Sequence, residues 1–297
     1  MWVADWGTTN LRLFHCSAAG EILSGVSCQQ GIRHLDTADF SACLREQLAR
    51  CGGPDNEPIY VCGMAGARNA WQEAPYCETP LKIEHLIESL TPLPAGFKGW
   101  LLPGACIRFE AGTEDVMRGE EIQIFGAMLA AAALDAIFCL PGTHSKWARV
   151  EQGALVDFAT FPSGDLYQGL LQTFLAGSAA EVVSDSVFLS AMKVAESEGH
   201  GFIHRLFSAR TRLLDGVLAS AQMPSYLSGL VIGEELREAA PFWRSAAEVR
   251  LIGAPQLTEK YRIALDRLGV KATCLDSGAA TCAGVAAVHR LLKGEAL

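Results

Sequence analysis

The chain lacks the marks of several protein classes. No apolar stretch reaches the ~18 residues that a membrane-crossing helix needs. The longest candidate, Ala127 to Leu140, is interrupted by Asp135 and stops at Pro141-Gly142. It reads as a buried helix leading into a buried strand, so no membrane partner is expected. Runs of Lys or Arg are missing too. The 24 basic and 33 acidic residues leave a net charge of −9. A nucleic-acid partner is therefore not expected, because a phosphate backbone requires clustered positive charge. Charge is sparse at 19%, while 50% of the residues are apolar; such a composition folds and excludes long disorder. The ten cysteines include no Cys-x-x-Cys pair, and no Cys/His cluster has zinc spacing, which leaves reduced thiols as the expectation. No basic segment followed by an apolar core precedes the first strand, so a cytoplasmic location is expected.

What is present is a doubled pattern. At ~150 residues per domain, the length suggests two domains, expected at 1–132 and 133–297, with the last helix returning to their junction. Trp2 to Trp6 is a short strand, Gly7-Thr8-Thr9-Asn10 a turn, Leu11 to Cys16 a second strand and Glu21 to Cys28 a third. Asp39 to Arg50 has helical periodicity, with Asp36 or Thr37 as the N-cap. Pro58 to Cys62 and Trp100 to Leu102 read as strands, the second closed by Pro103-Gly104. A helix follows Met117-Arg118-Gly119-Glu120-Glu121. Ala136 to Leu140 then repeats the opening device: a strand, the turn Pro141-Gly142-Thr143-His144, and returning strands at 146–150 and 154–161. Much of 165 to 245 is helical; Arg250 to Ile252 is a strand, and Thr258 to Leu268 and Gly278 to Leu292 are helices.

A turn rich in Gly and Thr presents backbone N–H groups with little side chain in the way, and its hydroxyls add donors. Such a nest binds phosphate oxygens without a lysine. Asp5, at the end of the first strand, is placed to hold a hydrated Mg²⁺, since hard cations take carboxylate oxygen and water. One such turn could be an ordinary hairpin. Two of them suit a nucleotide held between two domains.

The chain resembles the 2-dehydro-3-deoxygalactonokinase (2-keto-3-deoxygalactonate kinase) family of the sugar kinase, heat-shock ATPase and actin superfamily. The resemblance rests on Asp5-Trp6-Gly7-Thr8-Thr9-Asn10; on Gly63-Met64-Ala65-Gly66-Ala67-Arg68 with Trp71 and Glu73-Ala74-Pro75-Tyr76; and on Met117-Arg118-Gly119-Glu120-Glu121. It extends through Pro141-Gly142-Thr143-His144-Ser145-Lys146-Trp147, Leu227 to Glu234, and Ile252-Gly253 with Leu257-Thr258. It implies an α/β fold of two ribonuclease H-like (actin-like ATPase) domains, each with a mixed five-stranded sheet and flanking helices, around a nucleotide cleft. It also implies ATP and Mg²⁺ as cofactors and phosphorylation of the 6-hydroxyl of 2-dehydro-3-deoxy-D-galactonate. The expected partners are this small sugar acid and, as an open alternative to a monomer, a second copy in a homodimer. Two other readings stay open: a kinase of another sugar or sugar acid, and a non-catalytic actin-like nucleotide-binding protein.

The roles follow from that resemblance. Gly7, Thr8, Thr9 and Asn10 would meet the phosphates from one domain, and Gly142 and Thr143 from the other. His144 and Lys146 are further phosphate candidates, Gly253 marks the adenosine-side loop, and Gly229 allows either helix packing or approach to the nucleotide. Glu120 opens a helix where many sugar kinases place their catalytic carboxylate, and the helix dipole keeps it an anion able to accept a hydroxyl proton. Asp165, also before a helical run, is the rival base or an N-cap. The substrate's carboxylate calls for a guanidinium, from Arg68 or Arg118. Gly66, Trp71 and Tyr76 complete the candidate sugar site, although an aromatic ring serves the core equally well.

Overall fold

Val3 and Ala4 sit in a strand with no polar face, the pattern of a strand covered on both sides. In the computed structural model, which describes residues 1–53, 56–108, 114–174 and 182–297, all of Trp2–Trp6 is buried in the middle of a sheet. The chain runs β1 (Trp2–Trp6), β2 (Leu11–Cys16), β3 (Ile22–Cys28), α1 (Phe40–Arg50), β4 (Ile59–Gly63), β5 (Tyr76–Glu78) and α2 (Ile83–Ile87). It continues through β6 (Thr91–Pro92), β7 (Gly99–Leu101), β8 (Gly104–Ile107), β9 (Asp115–Met117) and α3 (Glu120–Ala130). Next come β10 (Ala136–Leu140), β11 (Ser145–Glu151), β12 (Ala154–Phe161), α4 (Ser163–Phe174) and α5 (Asp185–Glu196). The rest is α6 (Phe202–Leu206), α7 (Ser208–Leu214), α8 (Met223–Glu238), α9 (Ala240–Trp243), β13 (Val249–Ile252), α10 (Pro255–Arg267), β14 (Ala272–Leu275) and α11 (Ser277–Leu292).

Two sheets share one plan. The first has the order β3-β2-β1-β4-β7-β6 and the second β12-β11-β10-β13-β14. Numbered within its own sheet, each begins third, second, first, fourth. The second has the expected five strands; the first adds the two-residue β6 at its edge. In the first sheet β1, β2 and β3 form an antiparallel meander, while β1 pairs parallel with β4 and β4 with β7. A third sheet, β5-β8-β9, had no signal in the sequence. Gly104 looked like the stop after a strand, but it begins β8. Its missing Cβ matters there: a methyl group would stand 2.5 Å from the Met117 carbonyl and 2.7 Å from the Tyr76 ring.

By contacts the chain forms two compact units, 1–138 with 148–158 and 275–297, and 139–147 with 159–274. The first is filled by Trp2, Trp6, Phe40, Leu44, Ile59 and Trp71. Its α3 and α11 cross closely through small residues. A Cβ on Gly126 would lie 1.9 Å from the Ala280 carbonyl, and one on Gly284 would lie 2.2 Å from that of Ile122. The second unit is mostly helical; residues 175–181 of the expected helical stretch fall outside the described residues. Its core is built on α8 by Met223, Tyr226, Leu227 and Leu230. Among the described residues no helix is long and apolar enough to cross a membrane.

Candidate active site

The first Gly-Thr turn joins β1 to β2. The Gly7 N–H donates to the Asn10 carbonyl at 2.9 Å and closes it. Its own carbonyls are taken from outside: Gly31, Ile32 and Arg33 donate N–H groups to Thr9, Gly7 and Thr8 at 2.9, 3.1 and 3.1 Å. The 31–33 segment carried no functional signal in the sequence, yet it presses so closely that a Cβ on Gly31 would stand 2.2 Å from the Thr9 backbone. With the carbonyls used, what the turn offers is N–H groups and the partly exposed Thr8, Thr9 and Asn10 side chains, the surface a phosphate needs.

Asp5 is buried at 7% exposure and ion-paired with Arg12, which also donates to Ser277 Oγ at 2.8 Å. Arg12 escaped the sequence reading, although the hairpin register puts it directly opposite Asp5. Among the described residues no three His, Cys, Asp or Glu side chains gather as a metal cage. A site at Asp5 would therefore rest on fewer than three such side chains, a donor set that suits an ion keeping most of its waters.

The end of β4 ties this turn to a second feature of the same unit. Gly63, at φ 85°, passes so close to β1 that a Cβ would meet the Trp6 carbonyl at 2.7 Å. On its other side lies Gly119, at φ 105°, whose Cβ would sit 3.1 Å from the Gly63 Cα. Both positions need glycine for conformation and for space. Gly119 opens α3, and two acids hold the bend. The Arg118 N–H donates to Glu120 Oε2 at 3.0 Å, and the Gly119 N–H donates to Glu121 at 2.8 Å. Glu120 is half-buried, whereas Glu121 is fully buried. Burial, then the charge of Glu120, pushes Glu121 up to about 8 from 4.5. The surroundings therefore favour its protonated form.

Arg118 is the unusual side chain here. It is 7% exposed, and its Nη2 donates to the Ala74 carbonyl at 2.8 Å. The Tyr76 ring lies 4.1 Å from its guanidinium carbon. Its Nε and Nη1 have no partner, and an unmet donor of a buried charge costs more than the ~1–3 kcal/mol of a neutral one. Gly66 makes room for this group: a Cβ there would stand 2.9 Å from Nη1. Gly66, Tyr76, Arg118 and Glu120 thus gather in one place.

Two further candidates for the sugar site have other surroundings. The Arg68 side chain is 83% exposed with a loose 3.5 Å ion pair to Glu73, so it is a solvated cation. The Trp71 ring is spent on the core against Trp6, Phe40 and Phe97, and its N–H donates to Ser41 Oγ at 3.2 Å.

In the second unit, the turn at 141–144 leaves Gly142 with open space around its Cβ position. No packing inside the protein requires glycine there. The first N–H groups of α4, from Gly164 and Asp165, donate to the Thr143 carbonyl at 3.0 and 3.2 Å. His144 and Asp165 meet at 2.9 Å, both exposed. Asp165 therefore belongs to the surroundings of this turn. Gly253 follows β13 beside it, where a Cβ would stand 3.2 Å from the Pro141 carbonyl. Lys146 points away into the strand layer: it is buried, and its Nζ donates to Thr160 Oγ1 at 2.7 Å. Gly229 is accounted for by packing, since a Cβ would meet the Phe188 carbonyl of α5 at 2.2 Å.

The sequence matches the family model of 2-keto-3-deoxy-galactonokinase over residues 5–288. It is 34% identical to a Rhizobium meliloti protein described as "Probable 2-dehydro-3-deoxygalactonokinase", over 97% of this chain and 96% of that one. It is 29% identical to the 2-dehydro-3-deoxygalactonokinase of Escherichia coli, over 96% and 95% of the two chains. A solved Sinorhizobium meliloti structure described as that same kinase superposes with a TM-score of 0.88 at 32% identity, covering 98% of each chain. The paired sheets are the two ribonuclease H-like halves of the actin-like ATPase fold that the motifs implied. The chain belongs to the 2-keto-3-deoxy-galactonokinase family.

Proposed function

We propose that this protein transfers the γ-phosphoryl group of ATP to the 6-hydroxyl of 2-dehydro-3-deoxy-D-galactonate, giving the 6-phosphate and ADP. The observation that carries the reading is Arg118, a buried guanidinium with two unpartnered nitrogens next to Glu120. A carboxylate on the acceptor would supply the missing partners, with the Tyr76 ring against the same cation. The names borne by the relatives point to the same substrate.

Glu120 accepts the proton of the attacking hydroxyl as its oxygen bonds to the γ-phosphorus and the bond to the bridging oxygen of ADP breaks. Its main-chain bond to Arg118 links the base to the acceptor's anchor. In the first unit the turn at 7–10 offers N–H groups and hydroxyls suited to phosphate, and in the second unit the turn at 141–144 has the same chemistry. Asp5 would hold Mg²⁺ through its water, and the ion would neutralise phosphate charge. Asp165, joined to His144, fits the phosphate side better than the role of base. All ten cysteines are free, which suits a reducing cytoplasm.

ADP release from Mg-ATP with 2-dehydro-3-deoxy-D-galactonate, its gluconate epimer and neutral hexoses tests the reading. Strong turnover confined to the acids supports it. Turnover with a neutral hexose alone would remove the argument from Arg118, and nucleotide binding without any turnover would contradict the kinase reading.

A further inference from the structure

The turn at 141–144 stands on a chain of buried polar groups, all within the second unit. Glu235, on α8, is 4% exposed and accepts Trp147 Nε1–H at 2.8 Å and the Tyr261 hydroxyl at 2.6 Å. The Tyr261 oxygen lies 3.1 Å from Ser145 Oγ, and the Gly142 N–H donates to that same Oγ across a long 3.5 Å. Burial raises the Glu235 carboxyl above the ordinary glutamate range, and hydrogen bonds from Ser163, Tyr261, Trp147 and Ser145 oppose that rise. With donors converging on it, the carboxyl is the acceptor at the end of the line. Tyr261 spends its proton on Glu235 and can then only accept from Ser145. Ser145 faces both Tyr261 and Glu235, spends its one proton toward them and accepts from Gly142. One carboxylate so sets the direction of each bond up to the turn.

Burying a carboxylate costs free energy unless its oxygens are bonded, and an apolar side chain would fill this space without that cost. Glu235 carries no expected chemistry, and phosphoryl transfer does not use it. We infer that Glu235 is a positioning residue for the nucleotide, acting through Tyr261 and Ser145 to hold the Gly142 N–H inward and so set the shape of the phosphate-facing turn. The inference rests on reading that turn as the nucleotide's second phosphate contact.

The test uses the full-length enzyme with ADP as the calorimetric probe, KM for ATP and for the sugar acid, and melting temperature. Tyr261→Phe removes only the hydroxyl, Ser145→Ala breaks the chain one step higher, and Glu235→Gln keeps the shape while letting an amide donor reverse the line. Each is expected to weaken ADP binding and raise the KM for ATP by about 3- to 10-fold, the worth of one hydrogen bond, with the KM for the sugar acid unchanged. A purely structural role would lower the melting temperature and leave the two KM values in their wild-type ratio, which would overturn the inference. If Glu235→Gln does not fold, the Tyr261 and Ser145 variants carry the test. Gly142→Val separates this inference from the reading beneath it. If it weakens ADP binding while Tyr261→Phe does not, the inference alone fails. If it leaves ADP binding intact, the turn does not face the nucleotide and both fall.

Discussion

The two Gly-Thr turns join the first and second strands of sheets built on the same order, yet they are braced by different means. The first is held from outside, by N–H groups of 31–33 on its carbonyls, and its strand-end carboxylate is matched by Arg12. The second is held from beneath by Ser145, Tyr261 and Glu235, and from the side by the first N–H groups of α4. Each is pressed by a glycine from elsewhere: a Cβ on Gly31 would stand 2.2 Å from Thr9, and one on Gly164 2.5 Å from the Gly142 carbonyl. The glycines inside the turns are under no such pressure, with ordinary 3.4 Å contact at Gly7 and open space at Gly142. Packing explains the bracing glycines, whereas it does not require the one at 142.

That contrast can be broken. The largest effect belongs to the proposed base: Glu120→Gln should lower kcat by about 100- to 10,000-fold, with ADP affinity retained in calorimetry. Asp165→Asn should act mainly on the KM for ATP if it serves the second turn; a loss of kcat matching that of Glu120→Gln would reverse their roles. The glycines come next. Gly31→Ala should destabilise the fold by about 1–3 kcal/mol through overpacking, read as a lower urea midpoint. Gly142→Ala should stay within about 0.5 kcal/mol of wild type and weaken ADP binding instead. Equal stability losses for the two would erase the distinction drawn between them.

The last prediction concerns Glu121. Its carboxyl sits near 8 in the fold against 4.5 for an ordinary glutamate. Below the lower value both folded and unfolded chains hold the proton. Between the two values only the unfolded chain releases it, so this group's contribution to stability is lost as pH rises toward the folded value. Melting temperature should fall from about pH 5 to pH 8, and Glu121→Gln should flatten that fall. An unchanged slope in the variant would contradict the assignment.

Much of this was legible in local pattern. The strands at 2–6, 11–16, 136–140 and 154–161 lie where alternation and turn residues put them. So do both Gly-Thr turns and the helix opened by Glu120. Other features depend on distant partners. Nothing near Gly31 announces Thr9, and nothing near Glu235 announces Tyr261. Glu120 and Glu121 look alike in sequence, and only burial separates a half-exposed acid from one whose surroundings favour the protonated form. Trp71 and Tyr76 were equal candidates until packing put one ring in the core and the other on Arg118. Arg12 is the case that could have been found, since a hairpin's register follows from its turn.

The central claim is that Arg118, and not Arg68, meets the acceptor's carboxylate. Its most direct test is calorimetric titration of 2-dehydro-3-deoxy-D-galactonate into wild type, Arg118→Ala and Arg68→Ala, with ADP as the second titrant. The account predicts about 10- to 100-fold weaker binding of the acid to Arg118→Ala, the worth of a charged hydrogen bond. ADP affinity should be unchanged, and the acid should bind Arg68→Ala normally. Wild-type affinity for the acid in Arg118→Ala would contradict it.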